Sequence, residues 1–244
     1  MTGRSRAQFA EVVRSERVDV GLAASLVACE VEPTLDVDEV LAALDELAAS
    51  AAGDRSPQGL RLALSPFAQE ADFDDVRSSL LSEVLRRRRG LPLLVSIVAV
   101  EVATRLGLAA SYATIPGRVV VVLGDLEDEH TVFDPYAGTL LDGPVAALSA
   151  GDLLLRLLTN IRALTHRQPP SLDAARTRLW SVELSLLLPR HPVALRRERG
   201  ELLVRLGSHL LGAEELEEYA ALVPDAAVAE ECRREARQAR ARLN

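Results

Sequence analysis

The sequence has few of the residues that hold small secreted or metal-binding proteins together. Its 244 residues include 2 cysteines, Cys29 and Cys232, and 4 histidines. The cysteines lie far apart, and neither has a second cysteine or a histidine at the spacing of a ligand pair, so the pattern predicts neither a disulfide framework nor a zinc site. We therefore expect two buried, structural cysteines, no metal, no cofactor and a location in the reducing cytoplasm.

Aromatic residues and long apolar runs are also scarce. Aromatics make up 3% of a sequence that is 48% hydrophobic, so aliphatic side chains must form the core. The longest apolar run, Leu91 to Val102, is interrupted by Ser96 and Glu101 and is shorter than the ~18 residues that a membrane helix needs. The first residues, MTGRSRAQFAEVV, lack the apolar segment of a secretory signal. These features indicate a soluble globular protein with no membrane as its partner.

Basic charge is in deficit, with one local exception. The formal net charge is −8 at pH 7, which opposes extended binding to nucleic acid or anionic lipid, because both require clustered cations. The exception is the run Arg86 to Arg89, at the end of a predicted helix. Two interpretations remain open: the arginines bind an anionic ligand at the start of the next helix, or they are solvated cations that complement a helix C-terminus.

The spacing of apolar and breaking residues predicts helices, then a hairpin, then helices again. A helix that begins near Asp74 ends in the arginines, with Gly90 as its stop; Pro92 then begins an almost wholly apolar helix to about Arg105 that is expected to be buried on all sides. Pro189 and Pro224 lie 35 positions apart, close to the 34-residue tetratricopeptide period. The other predicted helices span 7–14, 20–29, 37–49, 150–165, 171–188, 192–206, 212–222 and 226–242, with a helical turn at 60–64 and strands at 111–115, 118–123 and 130–133.

Four segments carry a resemblance to a known family. In order, SLLSEVLRRRRGLPLLVS, EVATRLGL, IPGRVVVVL and FDPYAG resemble the SirB-type family, in which a transglutaminase-like domain is followed by tetratricopeptide-like helices. The resemblance implies an α+β fold: a papain-like domain with a central buried helix and a small antiparallel sheet over residues 1–148, then a tetratricopeptide-like helical region over residues 149–244.

The resemblance also implies where a catalytic triad belongs. Transglutaminase-like and papain-like enzymes place a cysteine at the start of the central helix and a histidine and an aspartate on neighbouring strands. The matching positions here hold Pro92 and Leu93 at the helix start, Arg118 in place of the histidine, and Asp134. Because arginine stays protonated near neutral pH, it cannot act as a base. We expect a degenerate triad in which Arg118 and Asp134, as strand neighbours, form an ion pair.

Ser96 and His130 are the remaining polar residues of this segment that we considered. A nucleophilic Ser96 needs a base beside it, and the base position is Arg118, so we predict instead that its hydroxyl donates to the carbonyl four residues earlier. His130 is expected at the turn end of the hairpin, away from Asp134. The candidate ligand-binding residues are Arg86, Arg87, Arg88, Arg89, Ser96, Arg118 and Asp134.

The sequence therefore predicts a non-catalytic transglutaminase-like protein. It would act in the cytoplasm as a scaffold that binds a protein or peptide, because the fold signature is kept while nucleophile and base are missing. The alternative is a hydrolase or transferase that acts on an anionic or peptide substrate through Arg118 and Asp134 in a remodelled papain-like site. Fold alone does not decide between them, since one fold hosts many functions.

Overall fold

A computed structural model of the chain describes residues 2–67 and 72–242. The chain forms two compact units, residues 1–157 and 158–244. The division falls inside the helix Ala150–Arg167, whereas the predicted domain boundary lies after residue 148. That boundary stays a prediction. Among the described residues, no helix combines the length and the apolar composition that a bilayer crossing requires.

Capped helices build most of the first unit. Asp19, Asp36 and Ser56 each stand at an N-cap and accept a hydrogen bond from a first-turn backbone N–H, which satisfies a donor that the helix itself leaves free. The helices are α1 Thr2–Val12, α2 Val20–Ala28, α3 Val37–Ala51, α4 Pro57–Leu64, α5 Leu81–Arg87 and α6 Pro92–Arg105, with short 3-10 helices at Ser65–Phe67 and Val76–Ser79.

The predicted helix from Asp74 to the arginines is wrong in two respects. It is broken at Leu80, which is extended (φ −109°, ψ 125°) between the 3-10 helix and α5. Its left-handed C-cap is Arg88, with φ 54°, and not Gly90. Gly90 serves another purpose: a Cβ there would overlap Cγ2 of Val84, so a side chain is excluded by the close approach of the chain to α5.

Helix α6 is the centre of the first unit, as predicted. It packs against α2, α3, α4 and α5 and against strands of the sheet. Its buried residues point in all directions around the axis, which is the pattern of a helix enclosed by other elements. Those with no exposed surface at all are Leu94, Val95, Ser96, Ile97, Val98, Ala99, Val102 and Ala103.

The sheet has five antiparallel strands in the order β4-β3-β2-β1-β5. They are β1 Ala110–Ile115, β2 Arg118–Gly124, β3 His130–Asp134, β4 Thr139–Leu141 and β5 Ala146–Ala147. The β2–β3 hairpin is confirmed, and Gly124 pairs with His130, so His130 lies at the turn end. The two edge strands β4 and β5 were not predicted. On one face Ala113, Val120, Val122 and Val132 form an apolar cluster.

The described part of the second unit, residues 158–242, is helical, as predicted. Its elements are the end of α7 Ala150–Arg167, then α8 Leu172–Leu187, α9 Ala194–Arg205, α10 His209–Leu222 and α11 Ala226–Ala241. Consecutive helices pack in pairs from α8 to α11. Helices α9 and α10 meet at two glycines: a Cβ on Gly212 would lie 2.7 Å from the carbonyl oxygen of Gly200. This contact requires both positions to be small.

Candidate functional site

The start of α6 presents proline and leucine. Leu91 is the N-cap, and Pro92 occupies the first turn, where its missing N–H costs nothing because no carbonyl of the helix is available to that position. Leu93 is buried, with 6% of its surface exposed. The helix start that would carry a nucleophile in a papain-like enzyme is therefore closed by an apolar side chain.

Ser96 lies one turn inside α6 and is fully buried. Its Oγ is 3.2 Å from the carbonyl oxygen of Pro92 and 3.2 Å from that of Val119. The first contact confirms the predicted bond to the preceding turn, and the second links α6 to β2. Both are carbonyl acceptors that share one hydroxyl hydrogen, and neither can remove a proton from serine.

Arg118 and Asp134 form the predicted ion pair. Nη1 of Arg118 lies 2.7 Å from Oδ2 of Asp134, and the two side chains are 53% and 4% exposed. The pair is diagonal and not directly opposed, which corrects the expectation that the residues are strand neighbours. In the observed register Arg118 pairs with Ile115, and Phe133, which precedes Asp134, pairs with Val121. The long arginine side chain covers the offset.

The other oxygen of Asp134 is also occupied. Oδ1 accepts the backbone N–H of Tyr136 at 3.1 Å and of Ala137 at 3.0 Å. This is the geometry of an aspartate that closes a turn with its own side chain. With a guanidinium on one oxygen and two amides on the other, the carboxylate holds the end of β3 in place.

The four arginines are divided among different contacts. Arg86 donates to Oε1 of Glu83 at 2.7 Å, and Arg87 pairs with Glu83 at 2.6 Å and with Asp75 at 2.9 Å. Arg88 stacks over the ring of Phe67, 5.3 Å from its centroid, and Arg89 is exposed. Because two of the four are matched by carboxylates, the run is not a continuous cationic patch.

Asp75 shows the strength of this network. Partial burial alone would raise the pKa of its carboxyl, but hydrogen bonds from Arg77 and Arg87 outweigh that effect and lower the pKa to about 2. A carboxylate that accepts charged donors is stabilised in its ionised form. Arg87 is thus held between two acids and serves the packing of α5 on the segment before it.

The cysteines and histidines lie outside this region. Cys29 and Cys232 are free and buried, and burial raises the pKa of each thiol, which keeps it protonated and unreactive. Nδ1 of His130 contacts the carbonyl oxygen of Asp128, and Nδ1 of His191 contacts that of Leu188. No group of three or more His, Cys, Asp or Glu side chains in residues 2–67 and 72–242 is placed to hold a metal ion.

Two concavities of the first unit were not found from the sequence. One is a shallow groove of about 680 Å³ beside the β1–β2 turn, with Pro116 and Arg156 on its walls. The other is a pocket of about 240 Å³ between α3 and α5, with Glu32 and Glu39 among its lining residues. The segment 36–46 carries five carboxylates in the sequence. Their proximity to α5 depends on tertiary packing, for which the sequence offers no signal.

Comparisons with known proteins agree with this fold. The model of the transglutaminase-like superfamily matches residues 30–178, which is more than half of the chain, and the chain belongs to this superfamily. It is 28% identical over 177 residues to a UPF0162 protein of Xylella fastidiosa strain Temecula1, and this match covers 63% of this chain and 61% of that protein. It is 32% identical over 171 residues to a UPF0162 protein of Pseudomonas aeruginosa, and this match covers 61% of each of the two proteins. The chain thus matches about three fifths of the length of these curated relatives. No solved structure matches it.

Proposed function

We propose that this chain is a non-catalytic, SirB-type member of the transglutaminase-like superfamily that binds a protein or peptide partner as a cytoplasmic scaffold. The observation that carries the proposal is the environment of Asp134. Its oxygens are occupied by a permanently charged arginine and by two backbone amides. An acid in a working triad would instead orient a histidine that exchanges protons with a nucleophile.

The helix start and the other candidate nucleophiles of the chain support the same conclusion. The hydroxyl of Ser96 donates to carbonyls, Leu93 closes the helix start, and the two cysteines are buried thiols with raised pKa values. General base catalysis needs a group that is deprotonated near neutral pH and within hydrogen-bond reach of the nucleophile. Within the described residues, nothing around Asp134 meets both conditions, and nothing favours the alternative of a remodelled enzyme.

The helices of the second unit supply a surface for a polypeptide. In the tetratricopeptide pattern a small residue is followed four positions later by a large apolar one, and a proline ends the unit. Gly212, Leu216 and Pro224 fit this spacing, and a Cβ on Gly200 would lie 2.8 Å from Cγ of Leu216. We therefore interpret α9 and α10 as one tetratricopeptide-like pair, with α11 beginning the next. Arrays of this kind bind extended peptides on their concave faces.

Activity assays test the non-catalytic part of the proposal. The purified chain, Asp134→Asn and the matched control Asp142→Asn, an exposed acid outside the site, are compared on peptidase, amidase and transglutaminase substrates. We expect all three to equal the protein-free blank. Turnover that is lost in Asp134→Asn but kept in Asp142→Asn, with equal circular dichroism, would overturn the proposal.

Reconstitution tests the binding part. A polypeptide that is cross-linked to the chain inside cells is expressed, purified and titrated against the wild-type chain and Asp134→Asn by calorimetry. If the partner binds away from the degenerate site, the wild-type chain and Asp134→Asn should have the same Kd. A more than tenfold loss of affinity in a folded Asp134→Asn would instead place the partner on the former catalytic centre and contradict this reading.

A further inference from the structure

The pocket between α3 and α5 has an apolar floor. Val40 and Leu85 are buried beneath it, and Leu35 and Ala43 are half-buried on its sides. Its volume is about 240 Å³, below the ~300–1,000 Å³ of sites that enclose whole small molecules. A cavity of this size suits a single unbranched side chain that covers the aliphatic residues.

The rim of the pocket carries negative charge that the protein does not neutralise. Glu83 is matched by Arg86 and Arg87. Glu32 accepts a hydrogen bond from Oγ of Ser82 at 3.2 Å, but across residues 2–67 and 72–242 neither Glu32 nor Glu39 forms an ion pair. A group that enters the pocket therefore meets two uncompensated carboxylates and one hydroxyl oxygen.

We propose that this pocket binds a lysine side chain from a basic segment of a partner polypeptide. The aliphatic stem of lysine covers the floor while its ammonium remains at the wet rim, which is how lysine behaves at apolar surfaces. Its three donors match the oxygens of Glu32, Glu39 and Ser82. The proposal rests on the proposed function and specifies the chemistry of its partner.

Helix α3 explains why the lysine belongs to a polypeptide. Its outer face continues beyond the pocket with exposed acids, among them Asp38 and Glu46. A free amine reaches none of these, whereas a segment with several basic residues is attracted by the whole face. An anionic partner is disfavoured because the cation in the pocket, Arg86, already donates to Glu83.

Titration with small probes tests the pocket directly. The full chain, labelled with ¹⁵N, is titrated with Ac-Gly-Lys-Gly-NH₂ and with Ac-Gly-Nle-Gly-NH₂, in which norleucine keeps the stem and lacks the ammonium. We expect the lysine peptide to shift amide signals of α3 and α5 and to bind at least about tenfold more tightly than the norleucine peptide, because the ammonium meets both glutamates. Equal affinities would overturn the proposal.

Variants locate the effect. Glu32→Gln/Glu39→Gln should weaken lysine binding about tenfold. Asp38→Asn/Glu46→Gln removes the same two charges from α3 outside the pocket and should leave lysine binding within about twofold. Ala43→Leu keeps every charge and fills the cavity, and it should also weaken binding. If Asp38→Asn/Glu46→Gln weakens binding as much as Glu32→Gln/Glu39→Gln, or if Ala43→Leu has no effect, the pocket is not the binding site.

A free amine provides the remaining comparison. n-Butylammonium carries the same charge and stem without a peptide backbone, and we expect it to bind more weakly than the lysine peptide. Equal or tighter binding of n-butylammonium would identify a small-amine site and overturn the polypeptide proposal. These outcomes can be distinguished from those of the activity assays. Turnover that depends on Asp134 refutes the non-catalytic function, whether or not the lysine peptide binds. Failure of the lysine peptide to bind refutes the proposed lysine pocket and leaves the non-catalytic function standing.

Discussion

The ion pair between Arg118 and Asp134 should contribute much less stability than the aspartate itself. Arg118 has a side chain that is 53% exposed, while that of Asp134 is 4% exposed. We therefore predict that Arg118→Gln lowers the free energy of unfolding of the first unit by at most about 1 kcal/mol, as for other solvent-exposed pairs. Asp134→Ala should lower it by about 3 kcal/mol.

The larger value follows from the three bonds that Asp134 accepts. Hydrogen bonds to a charged group contribute about 1.5–3 kcal/mol and neutral ones about 1 kcal/mol, and a donor left without an acceptor adds its own penalty. Asp134→Ala removes the acceptor of two amides, those of Tyr136 and Ala137, together with the ion pair. After Arg118→Gln both amides keep their acceptor, and water reaches Oδ2 through the space of an exposed side chain.

The assay must report on the first unit. The single tryptophan, Trp180, lies in α8 of the second unit, so its fluorescence is not suitable. Amide hydrogen exchange is a suitable assay, because the amides of Tyr136 and Ala137 should exchange much faster in Asp134→Ala than in the wild type and at nearly the wild-type rate in Arg118→Gln. A double-mutant cycle should give a coupling of about 1 kcal/mol or less. A cost of Arg118→Gln equal to that of Asp134→Ala would refute the reasoning, since the pair would then behave as fully buried.

Three further predictions concern other parts of the fold. The pKa of Asp75 is lowered to about 2, so the stability that its carboxylate contributes is complete above the unfolded pKa near ~4 and is lost as the pH falls toward ~2. Urea denaturation from pH 6 to pH 2 should therefore show that the wild type is more stable than Asp75→Asn by about 1 kcal/mol, and that this difference vanishes at the acid end. A difference that stays constant with pH would contradict the linkage. Gly90→Ala should destabilise the first unit by about 2 kcal/mol, because the added Cβ overlaps Val84. Thermal circular dichroism measures this loss. If the losses of stability in Gly90→Ala and Val84→Ala simply add in the double variant, the contact is contradicted. Gly212→Ala should destabilise the second unit by about 1–3 kcal/mol, seen as a lower melting temperature by tryptophan fluorescence. Its control is Gly207→Ala, at a glycine with open space around it but a φ of 90°. Gly207→Ala should act only through backbone strain and leave the packing of α9 on α10 unchanged, as measured by hydrogen exchange.

The sequence predicted the elements whose signals are local. Helix α6 was predictable because Pro92 begins it, Gly107 follows it, and apolar residues fill the space between. The β2–β3 hairpin was predictable from its run of valines and its polar turn. The break at Leu80 was not, because Leu80 and Leu81 are both fully buried, and an apolar period does not distinguish a continuous helix from two short helical segments.

Features that depend on tertiary contact could be predicted only in part. The pairing of Arg118 with Asp134 followed from the hairpin, but the diagonal offset required the actual register. Strands β4 and β5 span three and two residues, too few to show alternation. The contact of Gly200 with Gly212 and the pocket beside Glu39 join residues on different helices, and a single sequence carries no signal of such neighbours.

Helix α7 runs through the division between the two compact units, and the segment matched by the superfamily continues beyond it to residue 178. A fragment that ended at Leu157 would keep about two turns of α7, too few to form a stable helix without packing. The segment that matches the superfamily, residues 30–178, therefore ends about twenty residues after the first compact unit, which ends at residue 157. Experiments that divide this protein are better done by substitution than by cutting, because an inherited module here does not end where a compact one does.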